Sequence, residues 1–382
     1  MKVILLSNFA IPMAGIYLHI PYCRKACYYC DFHFSTNLKS MDKMVDAMCL
    51  EIEMRSAEIS EPIETIYFGG GTPSTLSTTL LEKLIAKLYA NFNIHEKVEF
   101  TAEVNPDDLN QTYLEHIKAL GINRLSIGVQ SFFDEHLQWM NRSHNAQNAQ
   151  ESIKTAVKLG FEVSSIDLIY GFNLLSHKQW EYNIKTAMDS GLQHISCYAL
   201  TIEEKTPFAK ISAKNKLALT DELLAKKNFD YLHNTLVKNG WEHYEISNFA
   251  FQKNYSTHNQ NYWKGKSYLG IGPGAHSYDG KKMRQWNMAD NLNYIDKINR
   301  DSPFFTSETL NENDIRNEKI MVGLRTAQGI DTKLISAQLS NPQHKVHQFI
   351  ENGLAKLTPT SFKLTTEGWW FSDSIIAALF EV

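Results

Sequence analysis

The sequence predicts an α/β fold over its first two-thirds, followed by a small helical, winged-helix-like domain. Six strand-like runs rich in Ile, Val, Tyr or Phe alternate with helical patterns up to about residue 200. Regular alternation of this kind is typical of parallel strands joined by crossover helices. An open doubly wound sheet and a full or partial barrel both fit, and each places a binding site at the carboxyl ends of the strands. After about residue 300, helical patterns precede a hairpin pattern instead.

The predicted strands are short apolar runs; they are Ile16–Ile20, Thr65–Phe68, Val98–Glu103, Arg124–Val129, Val163–Ile169 and His194–Leu200. The helical patterns between and after them are Lys43–Glu58, Thr79–Asn91, Asp107–Leu120, Glu135–Met140, Ala146–Leu159, Lys178–Ser190 and Asp221–Asn239. Asn105 and Pro106 are predicted to begin the third helix as its N-cap and first residue, because these residue types favour those positions.

The remainder of the chain differs in composition and in hydrophobic periodicity. The stretch Tyr244–Asn287 is aromatic, contains glycines and shows little periodicity. The elements predicted beyond it are helices at Ile315–Thr326, Thr332–Leu339, His344–Asn352 and Asp373–Phe380, with hairpin arms at Leu354–Leu357 and Phe362–Leu364. We therefore expect an N-terminal extension at 1–15, a main domain at 16–250, a connecting region at 251–300 and a C-terminal module at 301–382.

Composition indicates a globular protein with an ample core, since 43% of the 382 residues are hydrophobic and 21% are charged. The net charge of −4 argues against a nucleic-acid partner, and residues 301–382 carry seven Lys and Arg against ten Asp and Glu. No apolar run approaches the roughly 18 residues of a membrane span. Met1–Leu6 resembles a signal peptide only faintly, so the predicted location is cytoplasmic. A start at Met13 is an alternative.

Three of the five cysteines crowd into eight residues after the first predicted strand. Cys23, Cys27 and Cys30 follow a Cys-x3-Cys-x2-Cys spacing. Thiolates are soft ligands that suit iron–sulfur clusters, and three of them leave one iron of a four-iron cubane free for another ligand. A zinc site completed by His19 or His33 is an alternative, although zinc sites usually draw on two separated ligand pairs. Buried structural thiols are a further alternative.

Other candidate groups follow or lie on the later strands, where a shared site is expected. Gly69–Pro73 comes after the second strand, and glycines let backbone groups approach a ligand closely. Glu103 ends the third strand, where it could bind ribose hydroxyls or simply flank a helix. Gln130 ends the fourth strand and Asp167 lies on the fifth. Two further cysteines, at positions 49 and 197, are predicted to be core residues.

With these motifs, the sequence resembles radical S-adenosylmethionine (SAM) proteins of the family that contains the oxygen-independent coproporphyrinogen III oxidases and the related heme chaperones. The resemblance runs from Tyr17 to the C-terminal module. It implies a partial (β/α)6 barrel, and a [4Fe-4S] cluster on Cys23, Cys27 and Cys30 whose free iron binds SAM. The residues that it implies as SAM contacts are Tyr17, Tyr29, Gly70, Gly71, Thr72, Glu103, Gln130, Arg142 and Asp167. An Arg142–Asp167 ion pair that only braces the barrel, and a core role for Tyr17, are the structural alternatives.

Two sequence features distinguish the oxidase branch of this family from the chaperone branch. The oxidases carry a fourth cysteine just beyond the triplet, whereas Asp31 and Phe32 stand there in this sequence. His258–Trp263 matches the HNxxYW motif associated with heme binding in the chaperone branch, which implies His258 as an axial ligand of heme iron. A packed structural histidine is the alternative. Gly270–His276 lacks the strand–helix setting of a dinucleotide-binding loop, so it is not predicted to be one.

The resemblance therefore implies a heme chaperone that binds a [4Fe-4S] cluster, SAM and heme and passes heme to an acceptor protein. Its electron donor is not identified by the sequence, and a membrane-associated acceptor is among the candidates. The alternative function is anaerobic oxidative decarboxylation of coproporphyrinogen III. A radical SAM enzyme with a different substrate is a third possibility.

Overall fold

The computed structural model describes residues 13–215 and 219–381. The interpretation of Met1–Leu6, and all but the last three residues of the predicted extension 1–15, lie outside the described residues. Among the helices of the described ranges, none combines the length and the apolar character needed to cross a bilayer.

Six parallel strands form the centre of the main sheet and are hydrogen-bonded to one another in sequence order. They are β1 (Ala14–Ile20), β2 (Ile63–Gly70), β3 (Ile94–Val104), β4 (Arg124–Gln130), β5 (Ser165–Tyr170) and β6 (His194–Ala199). The helices between them are α1 (Met41–Arg55), α2 (Thr78–Asn91), α3 (Gln111–Ala119), α4 (Asp134–Trp139), α5 (Ala146–Lys158) and α6 (His177–Met188). The predicted α/β class and partial barrel are confirmed, and the sheet is open, not closed.

Burial explains why these runs became strands. In β1 all residues except Tyr17 are fully buried, and the same holds for most of β5. Strands of a parallel sheet are covered on both faces, so they tolerate continuous apolar runs without alternation. The predicted core positions Cys49 and Cys197 are 5% and 2% exposed, respectively.

The predicted beginning of the third helix was wrong. Pro106–Asp108 forms a single 3-10 turn, and α3 begins at Gln111, where the side chain of Asn110 accepts from the Tyr113 amide at 3.0 Å. The side chain of Asn105 does not cap a helix, because its oxygen accepts a hydrogen bond from Arg142 at 2.6 Å. A residue type suited to an N-cap is used here to position a cation.

Further strands extend this sheet on both sides, to twelve within the described residues. These strands are β7 (Trp241–Glu245), β8 (Asn248–Phe251), β9 (Tyr268–Ile271), β10 (His276–Tyr278), β11 (Met283–Asn287) and β12 (Phe305–Thr309). The helices among them are α7 (Pro207–Asn215), α8 (Glu222–Lys238), α9 (Thr257–Trp263) and α10 (Asn291–Asn299). β8 and β7 continue from β6, whereas β9 pairs with β1 in parallel and leads through β10 and β11 to β12. The expected boundary at 250 falls inside β8.

A buried charged network fastens α1 to β9 and β11. The guanidinium of Arg55 donates to Glu51 at 2.9 Å, to the Gly270 carbonyl at 2.9 Å and to Gln285 at 2.7 Å. Glu51 is fully buried and also accepts from the side chain of Asn287 at 2.7 Å. Buried charges persist only when they are paired and hydrogen-bonded, as here.

The C-terminal module packs helices around a small antiparallel sheet of order β13-β15-β14. Its elements are α11 (Glu312–Leu324), β13 (Ile330–Asp331), α12 (Ser336–Ser340), α13 (Lys345–Glu351), β14 (Ala355–Leu357), β15 (Ser361–Leu364), α14 (Thr366–Trp370) and α15 (Ser372–Leu379). The hairpin of β14 and β15 lies where the sequence predicts it, between the predicted helices.

Candidate functional site

A cavity of about 420 Å³ lies at the carboxyl ends of the parallel strands. It is lined by the three clustered cysteines and by residues from the ends of β2 to β6. The predicted site residues that line it are Cys23, Cys27, Cys30, Tyr29, Gly70, Gly71, Thr72, Glu103, Gln130, Arg142 and Asp167. The structure therefore brings together residues that are up to 144 positions apart in the sequence.

The loop that carries the cysteines is held by the segment after α4. The Tyr28 amide donates to the Met140 carbonyl at 3.1 Å, and the side chain of Asn141 donates to the Ala26 carbonyl at 2.7 Å. Lys25 donates to the carbonyl of Arg142 at 3.2 Å. These bonds fix a loop that has no regular secondary structure, so its thiols are presented to the cavity in one arrangement.

The three cysteines are half-buried, and burial affects the protonation of Cys23 and Cys30. Desolvation raises the pKa of the Cys23 thiol to about 11 and that of Cys30 to about 12. The hydroxyl of Thr72 donates to the sulfur of Cys23 at 3.3 Å, which partly opposes this rise. A metal that binds here must displace thiol protons.

The positions of the possible ligands test whether the cysteines and His19 could form a zinc site. Within the described ranges, no three His, Cys, Asp or Glu side chains lie close enough together to hold a single metal ion. Both ring nitrogens of His19 are engaged, by the Tyr17 hydroxyl at 3.1 Å and the His33 carbonyl at 2.8 Å. His19 could therefore complete a zinc site only by giving up one of these bonds.

The glycine run after β2 packs against the cysteine loop. The Gly71 amide donates to the Ile20 carbonyl at 2.9 Å, and the Thr72 amide donates to the Tyr22 carbonyl at 2.7 Å. A Cβ on Gly71 would lie 2.6 Å from the Tyr22 carbonyl oxygen, so any side chain would push the loop away. Gly70 has a φ of 101°, which is accessible to glycine at no cost. These glycines place the two loops in direct contact.

The Glu103 carboxylate lies at the centre of one cavity wall. It accepts hydrogen bonds from the Tyr67 hydroxyl at 3.0 Å and from the Gly70 amide at 3.1 Å. Burial raises its pKa to about 7, even though both hydrogen bonds oppose the rise. A carboxyl group in this setting can accept from ligand hydroxyls as well as from its protein partners.

Arg142 links the cysteine loop to two strands. Its guanidinium donates to the Cys27 sulfur at 3.3 Å, to Asn105 at 2.6 Å and to the Gly128 carbonyl at 2.6 Å. Asp167 accepts instead from two serine hydroxyls, of Ser126 at 2.7 Å and Ser165 at 3.0 Å. These partners do not support the alternative in which Arg142 and Asp167 brace the barrel as an ion pair.

Gln130 adopts a strained backbone conformation at the end of β4. Its φ is 66°, a region that non-glycine residues rarely occupy, and its side chain is 9% exposed. Such conformations cost roughly 1–3 kcal/mol and cluster at ligand sites. Here the turn directs the chain so that Gln130 lines the cavity.

Tyr17 lines a neighbouring cavity of about 680 Å³. Its ring stacks on Tyr67, with centroids 6.0 Å apart and the planes at 28°. Tyr67 lines the 420 Å³ cavity, so Tyr17 supports that wall from behind. Its predicted contact with SAM stays a prediction.

His258 is buried at the start of α9. Its side chain is 2% exposed, with one ring nitrogen 2.8 Å from the Thr65 hydroxyl and the other 3.0 Å from the Tyr262 hydroxyl. Burial lowers the pKa of His258 to about 3, so the ring is neutral. The Glu99 carboxylate accepts from the His258 amide at 2.8 Å and anchors the helix start to β3. Iron ligation by His258, which stays a prediction, requires opening this packing.

Sequence reasoning missed several cavity residues. Tyr67, Asn105, Ser126 and Tyr198 all line the 420 Å³ cavity. Each lies on or just after one of the parallel strands, so membership of these strands is a signal that could have found them. Asn105 was instead interpreted as a helix cap, and Tyr67 and Tyr198 had the residue type expected of an ordinary strand.

Comparisons with known proteins agree with this geometry. The family model described as Radical SAM superfamily matches residues 17–187, and the model described as HemN C-terminal domain matches residues 310–371. The chain is 31% identical to a protein named heme chaperone HemW from Bacillus subtilis, over 96% of this chain and 99% of that protein. It is also 31% identical to a heme chaperone HemW from Synechocystis, over 98% of both chains.

A solved structure with a similar fold is that of coproporphyrinogen III oxidase (HemN) from Escherichia coli, which is described as a radical SAM enzyme. The TM-score is 0.82 at 21% identity, over 97% of this chain and 90% of that one. At this identity the similarity shows a shared fold and does not distinguish between functions.

Proposed function

Because the chain belongs to the family of the HemW heme chaperones, with a radical SAM domain, we propose that it binds heme as cargo and delivers it to an acceptor protein. The similarity to these relatives extends over nearly the whole chain, which includes the cysteine loop, the HNxxYW motif and the C-terminal module. Asp31 and Phe32 after the cysteine triplet support the same branch, since the oxidases carry a cysteine there.

Membership of the radical SAM superfamily implies a [4Fe-4S] cluster and SAM as cofactors. Cys23, Cys27 and Cys30 would hold the cluster, and the observation that carries this assignment is their common position at one 420 Å³ cavity. When bound, the cluster would supply a single electron and an open iron that the amino and carboxylate groups of SAM can chelate. Thr72 would donate to the thiolate of Cys23, as it does to the thiol.

The other side chains around the cavity would bind and orient SAM. Glu103 faces the cavity beside Gly70 and would accept from the ribose hydroxyls. Gln130 and Asp167 present polar groups from the next two strands. Arg142 would hold positive charge against the sulfur of Cys27, and Tyr29 lies beside it, with its hydroxyl 3.4 Å from the guanidinium.

Tyr17, Gly71 and Thr72 would complete the site by supporting its walls, and the HNxxYW motif, with the predicted ligand His258, would contribute to the heme site. We further propose a cytoplasmic location, a separate electron donor and an acceptor that receives heme directly. A membrane-associated acceptor would fit this role, with the chaperone docking from the aqueous side.

Anaerobic reconstitution followed by heme titration tests the proposal. The expected result is about four irons and four sulfides per chain, with saturable heme binding measured from the Soret band with and without SAM. A second incubation with coproporphyrinogen III, SAM and a reductant serves as a control for the oxidase activity. Formation of protoporphyrinogen, or no saturable heme binding, would contradict the chaperone function.

A further inference from the structure

A second cavity has the size and lining expected of a porphyrin site. It measures about 1,110 Å³ and lies between β9 to β11 and α11, at the junction of the main sheet and the C-terminal module. Pockets for drug-sized ligands usually measure about 300–1,000 Å³, so this one can admit a large flat molecule. Its aromatic lining residues are Tyr262, Trp263, Tyr268, Tyr278 and Trp286.

This groove is continuous with the path to the cysteine loop. Tyr262, Tyr268, His276 and Trp286 line both the 1,110 Å³ groove and the neighbouring 680 Å³ cavity. Asp31 and Phe32, which follow the last cysteine, line both the 680 Å³ cavity and the 420 Å³ cavity. The three cavities therefore form a row, with the predicted cluster at one end and the groove at the other. A ligand in the groove would therefore not compete with SAM for the 420 Å³ cavity.

His276 on β10 is an accessible candidate for an iron ligand in this row. Its side chain is exposed, and no hydrogen bond to either ring nitrogen occurs within residues 13–215 and 219–381. Its ring lies parallel to that of Trp286, with centroids 6.3 Å apart and the planes at 27°.

Unlike His276, His258 is buried and its ring nitrogens are occupied, but it contacts a residue that lines the groove. It is 2% exposed, and the hydroxyls of Thr65 and Tyr262 occupy both of its ring nitrogens. Tyr262 and Trp263, the last two residues of the HNxxYW motif, line the groove itself. The bond from His258 to Tyr262 therefore fixes the position of an aromatic wall.

The groove also carries charges of both signs. Its cations are Lys264, Lys281, Arg284 and Lys319, and its acids are Glu308, Glu318 and Asp331. Arg284 pairs with Glu308 at 3.5 Å and with Glu318. Lys281 and Lys319 have no ion pair within the part of the chain that the structure describes, so they can meet the carboxylates of a ligand. Heme has this chemistry, with a flat apolar ring, an iron that takes imidazole and two propionates.

From this geometry we propose that His276 ligates heme iron in the 1,110 Å³ groove, and that His258 is a positioning residue that holds Tyr262 against the porphyrin. The proposal rests on the proposed function, because it assigns the site of the same cargo. On this proposal the HNxxYW motif on α9 forms one wall of the heme site. The iron ligand lies outside the motif, on β10.

The test is titration of the full-length, cluster-reconstituted protein with hemin, followed by optical and electron paramagnetic resonance spectra. For His276→Ala we expect an affinity at least tenfold lower and loss of the histidine-ligated spectrum, which added imidazole restores. For Tyr262→Phe, which removes only the hydroxyl bonded to His258, we expect a two- to fivefold lower affinity with the wild-type spectrum retained. His95→Ala, outside all three cavities, is the matched histidine control and should bind as wild type.

The possible outcomes separate the assignment of His276 as the iron ligand from the proposed heme chaperone function. Heme binding by the wild type with an unchanged spectrum and affinity in His276→Ala would overturn the ligand assignment and leave the chaperone function standing. A histidine-ligated spectrum lost in His258→Phe but retained in His276→Ala would overturn it in favour of the motif histidine. Failure of the wild type to bind hemin would contradict both. His276→Gln, with circular dichroism and iron content as folding controls, separates lost ligation from lost structure.

Discussion

The guanidinium of Arg142 lies against the sulfur of Cys27, with 3.3 Å between Nη1 and Sγ. Burial of this cation is compensated by hydrogen bonds to Asn105 and to the Gly128 carbonyl. The contact places a fixed positive charge beside one of the three predicted cluster ligands, on the side that faces the cavity. This charge should affect the cluster through electrostatics more than through packing.

We expect Arg142→Met to lower the reduction potential of the reconstituted cluster. A nearby positive charge stabilises the reduced form, which carries one more negative charge, so its removal disfavours reduction. At an effective dielectric constant of about 20, the loss is on the order of 100 mV. A redox titration monitored by electron paramagnetic resonance measures it. Arg24→Met is the control, since Arg24 lies on the same loop but is exposed and pairs with Asp108 at 3.0 Å; equal shifts in both variants would refute the local effect.

Cys27→Ala should abolish the absorbance of the four-iron cluster, because two remaining thiolates hold a cubane poorly. Iron and sulfide content after anaerobic reconstitution gives the measurement. Cys49→Ala, which removes a core thiol on α1 far from the cavity, should keep full iron content. Stoichiometric zinc in the wild type, with no uptake of iron, would mean that the cysteines form a different site.

SAM binding should strengthen as pH rises through about 7, because the ionised Glu103 carboxylate accepts from ribose hydroxyls with both oxygens and more strongly than the protonated acid does. Burial holds its pKa near that value. Glu103→Gln should bind SAM about tenfold more weakly and lose this pH dependence. Equilibrium dialysis between pH 6 and pH 8.5 gives both quantities, and an unchanged pH profile in the variant would remove Glu103 from the site.

The same carboxyl group should also affect stability. Its pKa is raised in the folded protein above the ordinary 4.5, so the folded state binds the proton more tightly than the unfolded state. The free energy of unfolding of the wild type then falls as pH rises from about 4.5 to 7. We expect ligand-free Glu103→Gln to be about 3 kcal/mol more stable than wild type at pH 8 and nearly equal to it near pH 4.5. Urea unfolding at the two pH values measures the difference, and a constant difference would contradict the assignment.

The buried pair of Arg55 and Glu51 should be essential for stability. Arg55→Met leaves the fully buried Glu51 carboxylate without its cation, and breaking such a pair costs about 3–5 kcal/mol. Chemical denaturation is the measurement. Lys83→Met removes one partner of an exposed ion pair with Asp46 on the outer side of α1 and should cost less than about 1 kcal/mol.

The sequence predicted the six central strands and most of the helices because those elements are long or continuously apolar. It did not predict β7 to β12, since strands of three to five residues show no clear period. The α3 boundary failed at Asn105 because a tertiary bond to Arg142 outweighed the local preference for a cap.

The site residues were likewise predicted where a sequence pattern or a known motif marks them, and were missed elsewhere. The sequence pattern, meaning cysteine spacing and strand-end position, and the family resemblance together predicted eleven of the residues that line the 420 Å³ cavity. Neither signal could identify His276, because it lies on a strand that periodicity does not reveal and in a segment without a recognisable motif. Nor could the sequence show that His258 is enclosed by Thr65 and Tyr262, since both contacts are long-range or depend on side-chain orientation.

Strand β1 pairs with β2 on one side and with β9 on the other, so Tyr17 lies in register with both Tyr67 and Gly270. The cysteine loop leaves the end of this strand, and the strand bearing His276 follows β9. A slip of β1 by one residue would move it about 3.3 Å and reverse its faces, which the buried sheet forbids. The register of β1 therefore fixes the distance between the cysteine loop and the strand that bears His276. An effect of one site on the other would then act through charge or through bound ligand, because the strands cannot slide past one another.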